Sequence, residues 1–298
     1  MLRWMTAFSL LLFSTAALAI SPYFYGDKVS GANVRAIATT VEGKLKGEGF
    51  KVVGKYFPRQ LPDHAVVIVT DDRMLAEVAD VGGNAVLGAA IRVGIKSDGT
   101  VSYTNPDYWY RAYFRRGFDK KEGAVKALES RLQKALGQGE GFGGDESAKN
   151  LGNYRYMIGM ERLDSHKNKL ASYDSHAEAL KVVRENLAKN VGKTAKVYEI
   201  TLAEKKLAVF GVAMQDDAMG DGIWMKKIEQ ENSVAGLPYE VFVVDGEIHS
   251  PHARFRVALA FPQVGMGQFM RIASLPNEVI ATMSAVAGVD KQSSQESW

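Results

Sequence analysis

The sequence predicts an α+β protein of two similar domains, each an antiparallel sheet with helices packed on one face, and three observations lead there. The stretch Ser30–Asp72 lies over Ser175–Asp217 without a gap: Ala32 falls on Ala177, Val52 on Val197 and Asp71-Asp72 on Asp216-Asp217. After a small deletion the register resumes, with Asp98-Gly99-Thr100-Val101 answering Asp245-Gly246-Glu247-Ile248, Asn105-Pro106 answering Ser250-Pro251, and Arg111 answering Arg256. A period this long means two globular domains and not a solenoid, whose units are far shorter. The order of elements is the same twice: helix, two strands, short helix, hairpin, closing helix, which is an α+β pattern. Each hairpin turns at Asp-Gly, a pair suited to the positive dihedrals of a tight turn.

In the first half, Val34, Ile37, Ala38, Val41 and Leu45 share one helical face, and Gly47 and Gly49 end the helix. Phe50–Phe57 and Ala65–Val69 are β-branched or aromatic runs, separated by a turn with Pro58, Pro62 and Asp63. Asp71-Asp72 precede a short helix at Met74–Val78, where an aspartate accepts hydrogen bonds from the first free amides. Ala85–Ile95 and Val101–Phe114 read as the strongest hairpin, with Tyr108, Tyr110, Ala112 and Phe114 on one face of the second strand and Trp109, Arg111 and Tyr113 on the other. Lys120–Leu136 is an amphipathic helix. Gly137–Asn153, rich in glycine and acids and without periodicity, reads as the linker between domains at 20–136 and 154–289.

The second half opens with a strand at Tyr154–Arg162 and a helix at Ala177–Ala188, followed by strands at Lys196–Thr201 and Leu207–Met214. A short helix at Gly222–Ile228 precedes the hairpin of Tyr239–Val244 and His249–Phe261, whose second strand alternates Phe255, Val257 and Leu259 against Arg254, Arg256 and Ala258. The closing helix is Glu278–Ala287, and 290–298 is a polar, loose tail.

Compartment follows from the N-terminus. Arg3, the apolar stretch Met5–Leu18 and the small-x-small site Ala17-Leu18-Ala19, broken by Ser21-Pro22, predict an export signal at 1–19 and, in a bacterium, a periplasmic product. The apolar stretch is short for a bilayer span, and no later segment is apolar enough to cross one. The chain has 298 residues and no cysteine, which removes disulfides, thiolate metal sites and cysteine nucleophiles together. Its formal net charge is +3, with basic and acidic residues interleaved, so nothing supports nucleic-acid binding.

The run Val52-Val53-Gly54 through His64–Thr70, then Arg92-Val93, Asp98-Gly99, Tyr103-Thr104-Asn105-Pro106 and Ala112-Tyr113 resembles the DUF302 family. The resemblance covers roughly 31–136 and reaches the second half by way of the repeat. It implies a compact TATA-binding-protein-like fold of β-α-β4-α order, often dimeric, and no established biochemical activity. The second half departs from it where Asn105-Pro106 becomes Ser250-Pro251 and Tyr113 becomes Ala258.

Candidate chemistry is sparse. His249 and His252 are the one close histidine pair and could hold copper or zinc if their rings converged, but odd spacing on a strand sends them to opposite faces. Met214, Met219, Met225, Met266 and Met270 could also serve copper, yet they fall where core residues are expected. Asp71-Asp72 and Asp216-Asp217 could bind a hard cation, but helix capping accounts for them. The glycines of 139–144 have no strand before them and no helix directly after, and no Gly-x-Ser-x-Gly motif is present. No cofactor is expected.

What remains is a surface. Tyr103, Asn105, Tyr108, Trp109, Arg111 and Tyr113, with Arg254 and Arg256 on the matching strand, interleave aromatics with arginine, the residues that dominate buried contacts. Such a face must meet the other repeat, a second subunit in a homodimer, or a ligand. The expected function is a binding or accessory module for a small apolar molecule or a partner protein. A metal-binding protein and an enzyme with a site between the repeats are the alternatives.

Overall fold

The computed structural model describes residues 19–289; the export signal expected at 1–19, except Ala19, and the tail expected at 290–298 lie outside the described residues. The protein is α+β. Its strands are β1 (Ala19–Ile20), β2 (Tyr23–Tyr25), β3 (Lys51–Tyr56), β4 (His64–Thr70), β5 (Ile91–Lys96), β6 (Val101–Thr104), β7 (Gly141–Phe142), β8 (Glu146–Ser147), β9 (Lys169–Ser172), β10 (Thr194–Leu202), β11 (Leu207–Met214), β12 (Tyr239–Val244) and β13 (Glu247–His249). Its helices are α1 (Val34–Gly47), α2 (Asp72–Val81), α3 (Pro106–Phe114), α4 (Glu122–Leu136), α5 (Ala148–Leu151), α6 (His176–Ala188), α7 (Asp221–Lys227), α8 (Ala253–Ala260), α9 (Met266–Met270) and α10 (Leu275–Val286).

The strands form antiparallel sheets of order β3-β4-β5-β6-β2-β7 and β10-β11-β12-β13-β9, with β1 paired to β8. Without β7 the two larger sheets have the same strand order. Both also carry a bulge at the same place in the first hairpin, between Val52 and Gly54 and between Lys196 and Tyr198. β4 is buried from Ala65 onward and β11 throughout. Burial at successive positions means that both faces of each sheet are covered, since side chains alternate. Helices cover one face: α1 packs on β4, and α6 on β10 and β12. On the other face the halves cover each other. The 3₁₀ segment Gly83–Ala89 lies on β11 and β12, Glu231–Gly236 lies on β5 and β6, and β3 meets β10. Gly94 has to be glycine-sized here, because a Cβ would fall within 3 Å of Val234 and of the Ala235 amide.

Four expectations need correction. The hairpin strands end at Thr104 and His249, and the residues that follow are the helices α3 and α8. Asn105 caps α3 through Asp107 N–H (3.0 Å), Pro106 takes the first helical position and Asp107 the first turn, a combination that favours a helix start. In the second half His252 is the corresponding cap. Counting from the caps, Arg256 is therefore the counterpart of Trp109, and the pairing of Arg256 with Arg111 is out of register by two residues. Tyr154–Arg162 holds no strand; the outer strand there is β9. Finally, 137–153 is not structureless: β7 extends the first sheet by pairing with β2, and Phe142 stacks on Tyr25 at 4.0 Å.

Candidate functional site

Between the halves lies a buried charged cluster. Glu240 on β12 accepts from Arg256 Nε (2.9 Å) and Nη2 (3.0 Å) and from Arg92 Nη1, and all three side chains are inaccessible. The Trp109 ring is within cation–π reach of both guanidinium groups, 5.3 Å from Arg92 Cζ and 5.1 Å from Arg256 Cζ. Burial pushes the Glu240 carboxyl up, but Arg256 and Arg92 outweigh it and hold it below the usual range. Burial opposes the charge on each arginine, yet Glu240 raises both above their ordinary value. All three stay ionised.

This arrangement absorbs most of the residues that the sequence nominates as a ligand surface. Tyr103, Asn105, Tyr108, Trp109, Tyr113 and Arg256 are all buried. Tyr108 donates to Leu259 O (2.8 Å), Trp109 Nε1 to Pro22 O (2.9 Å), and Asn105 Nδ2 to Ser21 O (2.7 Å). They join the halves and hold the N-terminal strand; Trp109 and Tyr113 border only a space of about 10 Å³, room for about one water and not for a ligand. Arg111 is away from this interface, over the Phe118 ring at 4.1 Å and paired with Asp107 at 3.0 Å. The histidines do not converge on a common site. His249 stacks on Phe242 at 5.1 Å and pairs with Glu247, while His252 Nδ1 accepts from Arg254 N–H at the start of α8. Among the described residues no group of three or more His, Asp or Glu side chains is arranged to hold a metal ion. Asp71 caps α2 and Asp216 accepts from the Ala218 and Met219 amides, so the acidic pairs are turn and cap residues.

Arg254 is the exception, because it lines a groove. The groove, about 320 Å³, has three walls. On α8 and its end, Arg254, Val257, Ala258 and Phe261 recur at the i, i+3, i+4, i+7 spacing of one helical face. On α9 and beyond, Met266, Phe269, Met270 and Ala273 repeat that spacing. The third wall is the segment with Tyr156, Met157 and Met160. The methionines at 266 and 270, expected in the core, are 55% and 62% exposed, whereas Met214 and Met225 are buried as expected. Sequence reasoning missed Met157, Met160 and Phe269 altogether. The signal was the 266–273 stripe, which reads the same whether or not another element covers it.

The equivalent helix face of the first half is covered. Counted from the caps, Asp107, Tyr110, Arg111 and Phe114 stand where α8 has Arg254, Val257, Ala258 and Phe261. There Arg111 is covered by Phe118 and Glu122, and Tyr110 and Phe114 pack at Gly88. In the second half the same helix face is open and apolar.

No family model, no curated protein and no solved structure matches this chain. Among the described residues no helix is long and apolar enough to cross a membrane.

Proposed function

We propose that this chain is an exported binding module, without catalysis of its own, that takes a small apolar molecule into the groove between α8, α9 and the 156–160 segment. One observation carries the reading. The exposed large hydrophobic side chains of the described chain are Tyr156, Met157, Ile158, Met266 and Met270, and four of those five line this one groove. Concentrated exposed apolar surface marks an interaction site, and the volume lies at the lower end of small-molecule pockets. Methionines adapt their shape to varied apolar partners. The lining offers no carboxylate, histidine, serine or threonine, so it is suited to holding a molecule and poorly suited to acid–base or nucleophilic chemistry.

Export is part of the same proposal and rests on Arg3, the apolar run after it and Ala17-Leu18-Ala19. The DUF302 resemblance is carried with it. What supports it is the order β2, α1, four strands β3 to β6 and α4, which follows β-α-β4-α with α2 and α3 inserted.

The mature chain is expected to bind the neutral dye Nile red with a fluorescence rise. Met270→Glu, at an exposed position, is expected to weaken binding at least about tenfold by placing a charge in the apolar lining. Absence of dye binding by the wild type refutes the reading. A dimer that Met270→Glu turns into a monomer assigns the groove to a second copy instead.

A further inference from the structure

We infer that the groove's ligand is an amphiphile with an anionic head, a carboxylate or an acid of similar size, on a hydrocarbon body, and that Arg254 receives the head. The inference rests on the reading of the groove as a small-molecule site and goes on to name the ligand class. Arg254 is the one charged side chain in the lining. Its guanidinium makes a single side-chain contact of hydrogen-bond type, Nη1 to Met160 Sδ at 3.7 Å, a soft and weak acceptor. Among the described residues no carboxylate is within ion-pair distance of it. Glu161, whose carboxyl Arg254 helps to hold low, is paired with Lys167 at 3.5 Å.

The position adds to the argument. Arg254 is the second residue of α8, whose first turn contains no acid, so a cation stands at the positive end of the helix dipole, where local electrostatics disfavour it. An anion placed in the groove meets the guanidinium fork. Arg111 is the contrast: on the matching helix it has Asp107 and Glu122 as partners and needs no ligand. Charge complementarity therefore selects an anion, and the methionine and phenylalanine walls select its tail.

The test is competition against Nile red by decanoate and decanol, kept below aggregation, on the full mature chain. Decanoate is expected to displace the dye at ~10–100-fold lower concentration than decanol, the range of a charge-assisted pair. Each added methylene is expected to tighten carboxylate binding about fourfold, so octanoate is about fifteenfold weaker than decanoate. Arg254→Gln is expected to erase the preference for decanoate and leave decanol unchanged. Equal binding of acid and alcohol by the wild type, or a preference that survives in Arg254→Gln, overturns the head-group assignment while leaving the groove reading intact. Failure of both ligands and the dye overturns both. Flotation with phosphatidylglycerol vesicles that depends on Arg254, without any decanoate preference, makes Arg254 a membrane contact and overturns the inference for a free amphiphile.

Discussion

Replacing Glu240 by glutamine removes the one negative charge from a buried cluster that contains two positive ones. At neutral pH the variant retains Arg92 and Arg256, both beside the Trp109 indole, with no anion between them. The amide oxygen can still accept from Arg256 or Arg92, but its NH2 group points a donor at a donor. Breaking a buried pair by removing one partner costs about 3–5 kcal/mol, because the remaining charge stays desolvated. Against a total of roughly 5–15 kcal/mol for a folded domain, that is a large fraction. Urea unfolding followed by circular dichroism should show a lowered midpoint with an unchanged slope, since the loss lies in the native state. Molar sodium chloride should not restore it, because buried pairs are little screened. The triple variant Arg92→Met, Glu240→Leu, Arg256→Met should recover most of the loss, as apolar replacement of a whole buried network is often neutral or better. A Glu240→Gln loss below about 1 kcal/mol would mean that water reaches the cluster and would refute the dry interface argued here.

Asp221 supplies a pH-dependent prediction. It accepts from Tyr56 OH (2.8 Å), Met214 N–H (3.0 Å) and Trp224 Nε1 (3.3 Å), yet burial pushes its carboxyl up to about 6. A folded-state value raised above the unfolded one gives stability that is complete below pH ~4 and lost as pH rises through about 6. Unfolding free energies of wild type and Asp221→Asn should thus diverge by about 2 kcal/mol between pH 4 and 7, the wild type losing more; parallel pH profiles would exclude this role. For metals, titration of the mature chain with copper(II) or zinc at neutral pH should show no binding tighter than micromolar, because His249 is stacked on Phe242 and His252 caps α8. Stoichiometric tight binding that disappears in His249→Ala or His252→Ala would overturn it.

Much of this fold is legible in the sequence, and the failures have a common origin. β11 and β12 are read to the residue, and α1 and α6 to within two residues at each end, because a stripe or a β-branched run needs no outside information. α3 reads as a strand because its dense aromatic run satisfies both periods, and α8 because Phe255, Val257 and Leu259 alternate with Arg254, Arg256 and Ala258. Tyr108, Tyr110, Ala112 and Phe114 alternate, but Tyr110 with Phe114 and Trp109 with Tyr113 are also four apart and in ring contact. Only the Asn105-Pro106-Asp107 start signal separates the readings, and it outweighs residue preference. β2 was missed because its three residues follow Ser21-Pro22, which reads as a break, while its place in the sheet is set by β6 about eighty residues later. The groove escaped for a different reason. A helical stripe states that a face is apolar, and cannot state whether anything covers it.

The two-residue slip in the repeat bears on how the halves recognise each other. Counted from their helix caps, Trp109 and Arg256 occupy equivalent positions, and Arg92 and Glu240 are each the second residue of corresponding six-residue strands. The cluster at the interface thus consists of two pairs of equivalent positions holding unlike residues, Arg against Glu and Trp against Arg. Each pair is complementary only because the halves differ there. Two first halves brought together in the same geometry would set Arg92 against Arg92 with no anion between them, whereas each second half already carries Arg256 beside its own Glu240. Repeats that share strand order are otherwise prone to exchange between chains, since one half presents to a neighbour nearly the surface it presents to its own partner. Here the charges penalise the pairing of two first halves while permitting first-with-second. Trp109 and Arg256, marked in the sequence as ligand surface, thus join Arg92 and Glu240, which were not, in specifying which half meets which, while Arg254 of that set faces the groove.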